Sequence, residues 1–179
     1  MNSISESIAK ASFERIRDQP YRVNEYCGDS AANCFRKSIQ LIESLGTLGF
    51  PVRGRLADMR WEDTLVPLEI ISLYPSGLLT THFYVEVEMS GRWRCLDPSW
   101  DKALEPAGFK IADWEGNNSP GFNLVRVYDL EEQAQCLEHW RDPDFAANYF
   151  EKAAEFLRAT NVWFEQTRQN AISGSLSSR

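Results

Sequence analysis

Apolar residues recur at helical intervals from the first few positions of the chain. Ile4, Ile8, Ala11, Phe13 and Ile16 predict an amphipathic helix over residues 4–17 that ends before Pro20. The polar stretch from Pro20 to Ala32, with Gly28-Asp29-Ser30 inside it, predicts a loop, and Asp29, Ser30 and Asn33 are candidate caps for the next helix. That second helix starts near Cys34. Phe35, Ile39, Ile42 and Gly46 form one stripe along it; Cys34, Ser38, Leu41, Leu45 and Leu48 form an adjacent one. So wide an apolar arc predicts a central helix packed on more than one side. Gly49 and then Pro51 stop it.

Residues 52–60 predict a strand, Trp61 to Pro67 a loop, Glu69 to Tyr74 a short strand, and Pro75-Ser76-Gly77 a turn. From His82 to Met89 the pattern alternates. Phe83, Val85, Val87 and Met89 point one way, and His82, Tyr84, Glu86 and Glu88 the other. Ser90-Gly91 turns the chain and Arg92 to Leu96 returns, which predicts a β-hairpin. Residues 98–123, rich in Pro, Gly, Asn and Trp, predict a long surface excursion, and Val125 to Tyr128 a last strand. Asp129 and Glu132 have capping-box spacing at the start of a helix reaching about Trp140. Pro143 opens another helix with Phe145, Tyr149, Phe150, Ala153, Leu157 and Phe164 on its apolar side. The Ser/Gly-rich end predicts a frayed tail over residues 173–179.

Length and composition narrow the picture. A chain of 179 residues suits one domain, expected over residues 1–172 with a core at 27–128 and a helical part at 129–172. A hydrophobic content of 43% with six tryptophans supplies a core. The net charge of −7 and pI of about 4.9 argue against nucleic acid or an anionic membrane as partner, because phosphate binding needs clustered Lys and Arg. No signal-peptide pattern precedes the first helix and no apolar run approaches a membrane span, so a cytoplasmic location is expected. The four cysteines, Cys27, Cys34, Cys95 and Cys136, show no C-x-x-C pair and no histidines at metal-ligand spacing. Free thiols are expected, and neither a metal nor a cofactor.

The hairpin makes one chemical test possible from the sequence itself. With Ser90-Gly91 as a two-residue turn, Met89 faces Arg92, and counting outward brings Tyr84 opposite Asp97. His82 shares the face of Tyr84, so His82 and Asp97 become diagonal neighbours with Cα atoms roughly 7–8 Å apart, within reach of an imidazole–carboxylate bond. A one-residue slip would put Asp97 on the opposite face. Cys34 adds a nucleophile. Unpaired N–H groups at a helix start and a nearby imidazolium both favour thiolate, and Asp97 would hold the imidazole in the right tautomer. Taken singly, each residue has a plainer role: Cys34 as a small core residue, His82 as a hydrogen-bonded strand residue, Asp97 as a strand stop. Cys27, Cys95 and Cys136 are read as filling space, and Cys27, in the loop before the same helix, is also the rival nucleophile. His139, late in a helix, is given no catalytic role. Glu86 and Glu88 form a solvated strand face, and Trp61 and Trp100 are candidates to line a cleft. Gln19, Asn24 and Asn33 are candidate side-chain donors to an oxyanion.

The order of these parts resembles a family. A cysteine at a helix start, a helix closing in Leu48-Gly49-Phe50-Pro51-Val52-Arg53, a strand led by His82 and then Trp93-Arg94-Cys95-Leu96-Asp97-Pro98 are similar to the transglutaminase-like branch of the papain-type cysteine protease superfamily. The similarity covers residues 27–101. It departs from the family in having Phe35-Arg36-Lys37 after the cysteine, where glycine is common. The resemblance implies an α+β fold: a papain/transglutaminase-like core with a central Cys-bearing helix packed on an antiparallel β-sheet, plus flanking N- and C-terminal helices. It also implies Cys34 as nucleophile, His82 as general acid and base, and Asp97 as the orienting carboxylate. The spacing back from Arg53 favours Cys34 over Cys27. No acidic calcium-binding loop is evident. The expected activity is a thiol enzyme acting on a peptide or protein amide through an acyl-enzyme, with hydrolysis slightly favoured over acyl transfer because no second substrate module is visible. The alternative is a catalytically inactive protein that keeps the fold for binding or structure. Acetyl transfer of the arylamine acetyltransferase type, which uses the same three residue types, fits the length and the Leu96-Asp97-Pro98 segment less well. Oligomeric state is not legible.

Overall fold

In a computed structural model of the chain, which describes residues 3–76, 80–116 and 120–177, helices flank a four-stranded antiparallel sheet. Helix α1 spans Ser3–Arg17 and α2 spans Cys34–Thr47. Strand β1 (Val52–Met59) is followed by a 3-10 turn (Trp61–Asp63) and a single helical turn, α3 (Leu68–Ile71). Strands β2 (Thr81–Met89) and β3 (Arg92–Leu96) form the hairpin. A 3-10 segment (Lys102–Ala107), β4 (Leu124–Val127), α4 (Leu130–His139) and the long α5 (Pro143–Ser177) complete the chain. The strand order is β3-β2-β1-β4.

Local chemistry explains the boundaries. Helix α2 ends in a Schellman motif: Gly49 N–H bonds Gly46 O, Phe50 N–H bonds Leu45 O, and Gly49 takes φ +81°. The hairpin turn has positive φ at both Ser90 (52°) and Gly91 (76°), the signature of a type I′ turn that matches strand twist. Its ladder pairs Met89 with Arg92 and Val85 with Leu96, the register counted from the sequence. Asp129 caps α4 in a full capping box with Glu132.

Helix α2 is packed on two sides. Leu41 and Leu45 meet Val85, Val87 and Leu96 of the sheet and Ala9, Phe13 and Ile16 of α1. Ile39 and Ile42 lean on a smaller group of Leu56, Phe83 and Tyr128. Each fully buried leucine here contributes about 1.5–3 kcal/mol of transfer free energy. Gly54 on β1 lies directly under the Phe83 ring, and any Cβ there would collide with it. A second core joins α5 to the rest: Phe156, Leu157 and Phe164 pack on Trp61, Trp100, Leu104 and Phe109.

Two expectations are corrected. Residues 69–74 do not form a strand. Pro67 starts a helical turn at Leu68–Ile71, and Ile71 packs into the α5 core; a run of Leu-Glu-Ile-Ile carries no period that separates the two outcomes. Within residues 98–123 the described part is not a surface excursion. Its backbone is irregular, yet Trp100, Leu104, Phe109 and Trp114 are buried and supply core. Helix α5 continues through Ser173 as far as Ser177. Gly77 of the expected turn lies outside the described residues.

Candidate active site

Assembly of the site starts at Asn33. Its side-chain oxygen accepts the Arg36 N–H at 2.8 Å, and its amide donates to Asn24 Oδ1 at 2.9 Å. This cap makes Cys34 the first residue of α2. The Cys34 and Phe35 N–H groups, the other donors of that first turn, have no acceptor among the described residues. The same turn is pinned to the start of β2. Phe83 N–H donates to the Cys34 sulfur, and one turn further along Ser38 Oγ donates to Phe83 O at 3.1 Å. His82, immediately before Phe83, is thereby brought to the thiol.

His82 is buried, with 2% of its surface exposed. Its Nε2 lies 2.9 Å from Asp97 Oδ2. The imidazole is also a hydrogen-bonding neighbour of the Cys34 thiol. The ring is clamped between Tyr84, nearly parallel at 6.0 Å, and the Phe122 ring, edge-on at 4.7 Å. Asp97 Oδ1 in turn accepts the Ser99 hydroxyl at 2.5 Å and the Ser99 N–H at 3.1 Å. Cys34, His82 and Asp97 therefore meet in one hydrogen-bonded line.

The segment that carries Asp97 is held in a way the sequence pattern does not disclose. Residues 97, 99 and 101 are all buried polar groups. Asp101 accepts the Tyr21 N–H at 2.8 Å and pairs with Arg168 of α5 at 2.7 Å. Arg168 also donates to Tyr21 O at 2.7 Å. The Ser99 carbonyl accepts from Lys37 Nζ at 2.9 Å. Sequence reasoning misses Ser99, Asp101, Arg168 and Lys37. The alternation of Asp97, Ser99 and Asp101 in an extended stretch is the one sequence signal that points to them.

Electrostatics follow from this packing. Burial works against the Cys34 thiolate, but the hydrogen bond and charge of His82 and the Phe83 N–H outweigh it, and the thiol pKa is lowered. Burial likewise opposes the imidazolium, but Asp97, and then Cys34, raise His82 to about 10. Asp97 is lowered despite its burial, by the His82 charge and by His82 and Ser99 hydrogen bonds. All three shifts run in the direction of thiolate, imidazolium and carboxylate.

The thiol is enclosed from the helical side. Tyr21 hydrogen-bonds the Cys34 sulfur, and its hydroxyl is held protonated by burial and by the nearby thiolate charge. Tyr149 of α5 hydrogen-bonds Tyr74 and feels the same charge, and both tyrosines pack with Cys34 in the α5 core. On the Asp97 side of the imidazole lies a cavity of about 390 Å³, bordered by Asp97, Trp100, Lys110 and Phe122.

Other candidates lie elsewhere. Cys27 is exposed rather than space-filling, and forms no part of the hydrogen-bonded line. Cys95 is buried against Ala57 and Tyr84, its thiol pushed up by burial and by Asp97. Cys136 packs beside Leu56 and Phe83. Glu86 pairs with Arg53 at 2.6 Å, and the His139 ring rests 3.8 Å from that of Phe145. Gln19 donates to Gln40, and Asn33 is spent on its cap, so neither amide is directed to the sulfur. Trp61 packs on Phe156, whereas Trp100 borders the cavity. No described helix is long and apolar enough to cross a membrane. No protein-family model, curated protein or solved structure matches the chain.

Proposed function

We propose that this protein is a transglutaminase-like thiol enzyme that acts on amide or peptide bonds through Cys34, His82 and Asp97. The observation that carries the reading is the hydrogen-bonded line from a lowered thiol at a helix start, through a buried imidazole, to a carboxylate 2.9 Å away. The Cys34 thiolate attacks the carbonyl carbon, and the free N–H groups of Cys34 and Phe35 are the nearest donors for the developing oxyanion. His82 passes its proton to the departing nitrogen as the C–N bond breaks, which leaves a thioester on Cys34. Water then attacks that carbonyl, His82 takes the proton, and a carboxylic acid and the Cys34–His82 pair are released. If an amine attacks instead, the product is a new amide. Asp97 supports the imidazolium throughout. Hydrolysis is slightly favoured over transfer.

Two measurements test this together. The alkylation rate of Cys34 against pH, followed by mass spectrometry of its peptide, is expected to show a depressed thiolate that His82→Ala abolishes. Incubation with glutamine-containing peptides, with and without a small primary amine, is expected to give hydrolysed product, and to show amine incorporation only if transfer competes. An ordinary thiol profile that ignores His82→Ala would sink the reading. A second reading, a catalytically inactive protein of the same fold that serves binding or structure, draws on the enclosure of the thiol by Tyr21 and Tyr149. A depressed, His82-dependent thiolate with no turnover of any amide would favour it.

A further inference from the structure

Helix α2 carries a second chemical group on the side that bears Cys34. Lys37 lies three residues on, one turn along the same face, and it is the only lysine among the buried residues described, with 0% of its surface exposed. Burying an ammonium is costly, and a hydrophobic residue of similar volume would fill the space at less expense. The lysine is not idle there. Its Nζ donates to Arg17 O, at the end of α1, at 2.8 Å and to Ser99 O at 2.9 Å. Ser99 is the residue whose hydroxyl and N–H hold Asp97 Oδ1. One residue is thus gripped at its carbonyl by the cysteine helix while its other two polar groups fix the carboxylate.

We propose that Lys37 is a positioning residue for the thiol site: by binding the Ser99 carbonyl it ties the cysteine helix to the Asp97 segment, and so sets the line from Asp97 through His82 to Cys34. The inference rests on the reading of these three residues as a reactive thiol site. The groups facing the ammonium come from every element packed on it. They are Asp18 after α1, Asp97 and Asp101 in the extended segment, Arg168 from α5, and the Tyr21 ring at 5.9 Å. Burial brings Lys37 down to about 7, with Asp101 acting to raise it and Arg168 to lower it. Both the ammonium and the neutral amine carry at least two N–H groups, so the two carbonyl bonds persist across this range.

The test is the pH profile of Cys34 alkylation by iodoacetamide, read on the Cys34 peptide, in the full chain and in Lys37→Met, Ser99→Ala and the double variant. Lys37→Met keeps the side chain as far as its ε-carbon and removes the amine, donor and charge together, whereas Ser99→Ala changes no charge. Lys37→Met is expected to move the thiolate limb upward by about one pH unit, roughly a tenfold loss of rate at the foot of that limb. Ser99→Ala is expected to move it in the same direction. The double variant is expected to move it no further than Lys37→Met alone, because both act through one turn. A Lys37→Met protein that melts at lower temperature with an unmoved profile would overturn the proposal, and so would two shifts that add. If Lys37→Met does not fold, Lys37→Gln takes its place, and an unmoved profile in Lys37→Gln and Ser99→Ala overturns the proposal equally. A wild-type profile of an ordinary thiol would instead overturn the underlying site, which keeps the two failures apart.

Discussion

Replacing Asp97 with Asn removes one charge from the site and almost no volume. In the intact protein burial disfavours the His82 imidazolium, yet Asp97 reverses the balance and lifts the ring to about 10. Without the carboxylate, burial is the largest remaining influence, and the pKa falls to or below its usual value near ~6.5. A drop of about 3.5 pH units corresponds to roughly 5 kcal/mol at ~1.36 kcal/mol per unit. That is the top of the ~3–5 kcal/mol range for breaking a buried ion pair, so a loss of about 3–5 kcal/mol at pH 7 is expected. The sign with pH is fixed by the direction of each shift. A raised histidine contributes stability that is full below ~6.5 and disappears as pH rises through about 10. The lowered Asp97 contributes stability above its ordinary ~3.9 that disappears as pH falls through its depressed value. Wild-type stability should therefore decline between pH ~6.5 and about 10 by an amount that Asp97→Asn largely abolishes. Urea unfolding at several pH values measures this. Long-range imidazole NMR measures the ring itself, and the chain has only two histidines, so the His82 signals are readily assigned. A wild-type His82 that titrates near ~6.5, or an Asp97→Asn cost below about 1 kcal/mol, as for an exposed pair, would refute the reasoning.

Other perturbations probe the supports. Gly54→Ala places a Cβ on the Phe83 ring and should cost about 1–3 kcal/mol in thermal melts, with slower Cys34 alkylation as β2 shifts beneath the thiol. Asp101→Asn leaves the Arg168 guanidinium buried without its carboxylate and should cost about 3–5 kcal/mol by urea unfolding. Tyr149→Ala opens the enclosed side of the thiol, so the alkylation rate of Cys34 should rise several-fold at fixed pH; an unchanged rate would show that reagent arrives by another route.

Legibility from the sequence tracks the range of the interactions involved. The hairpin is readable because Ser90-Gly91 supplies the two positive φ values a type I′ turn needs, and the register then places His82 by Asp97 through counting alone. The end of α2 and the cap of α4 are readable for the same reason: Gly49 and the Asp129/Glu132 pair act within a few residues. Lys37 is not readable. A helical pattern assigns lysine to solvent, and what reverses this is the convergence of two carbonyls from residues 17 and 99, which no local window contains. The Asp101–Arg168 pair is hidden for the same reason, across 67 positions. Residues 98–116 mislead because loop-forming composition describes their backbone, while Trp100, Leu104, Phe109 and Trp114 answer to the core.

The knot of Tyr21, Asp101 and Arg168 has a consequence for timing. Its bonds join positions 67 and 147 residues apart, and a neighbouring pair, Val23 with Asn161, spans 138. Such distant closures come late, because the chain must lose the entropy of long loops before any bond rewards it. While a ribosome has yet to add Arg168, Asp101 can meet the Tyr21 N–H but has no guanidinium to pair with. Docking of the last helix is therefore the step that completes the charge pair behind the Asp97 segment and packs Tyr149 beside Cys34.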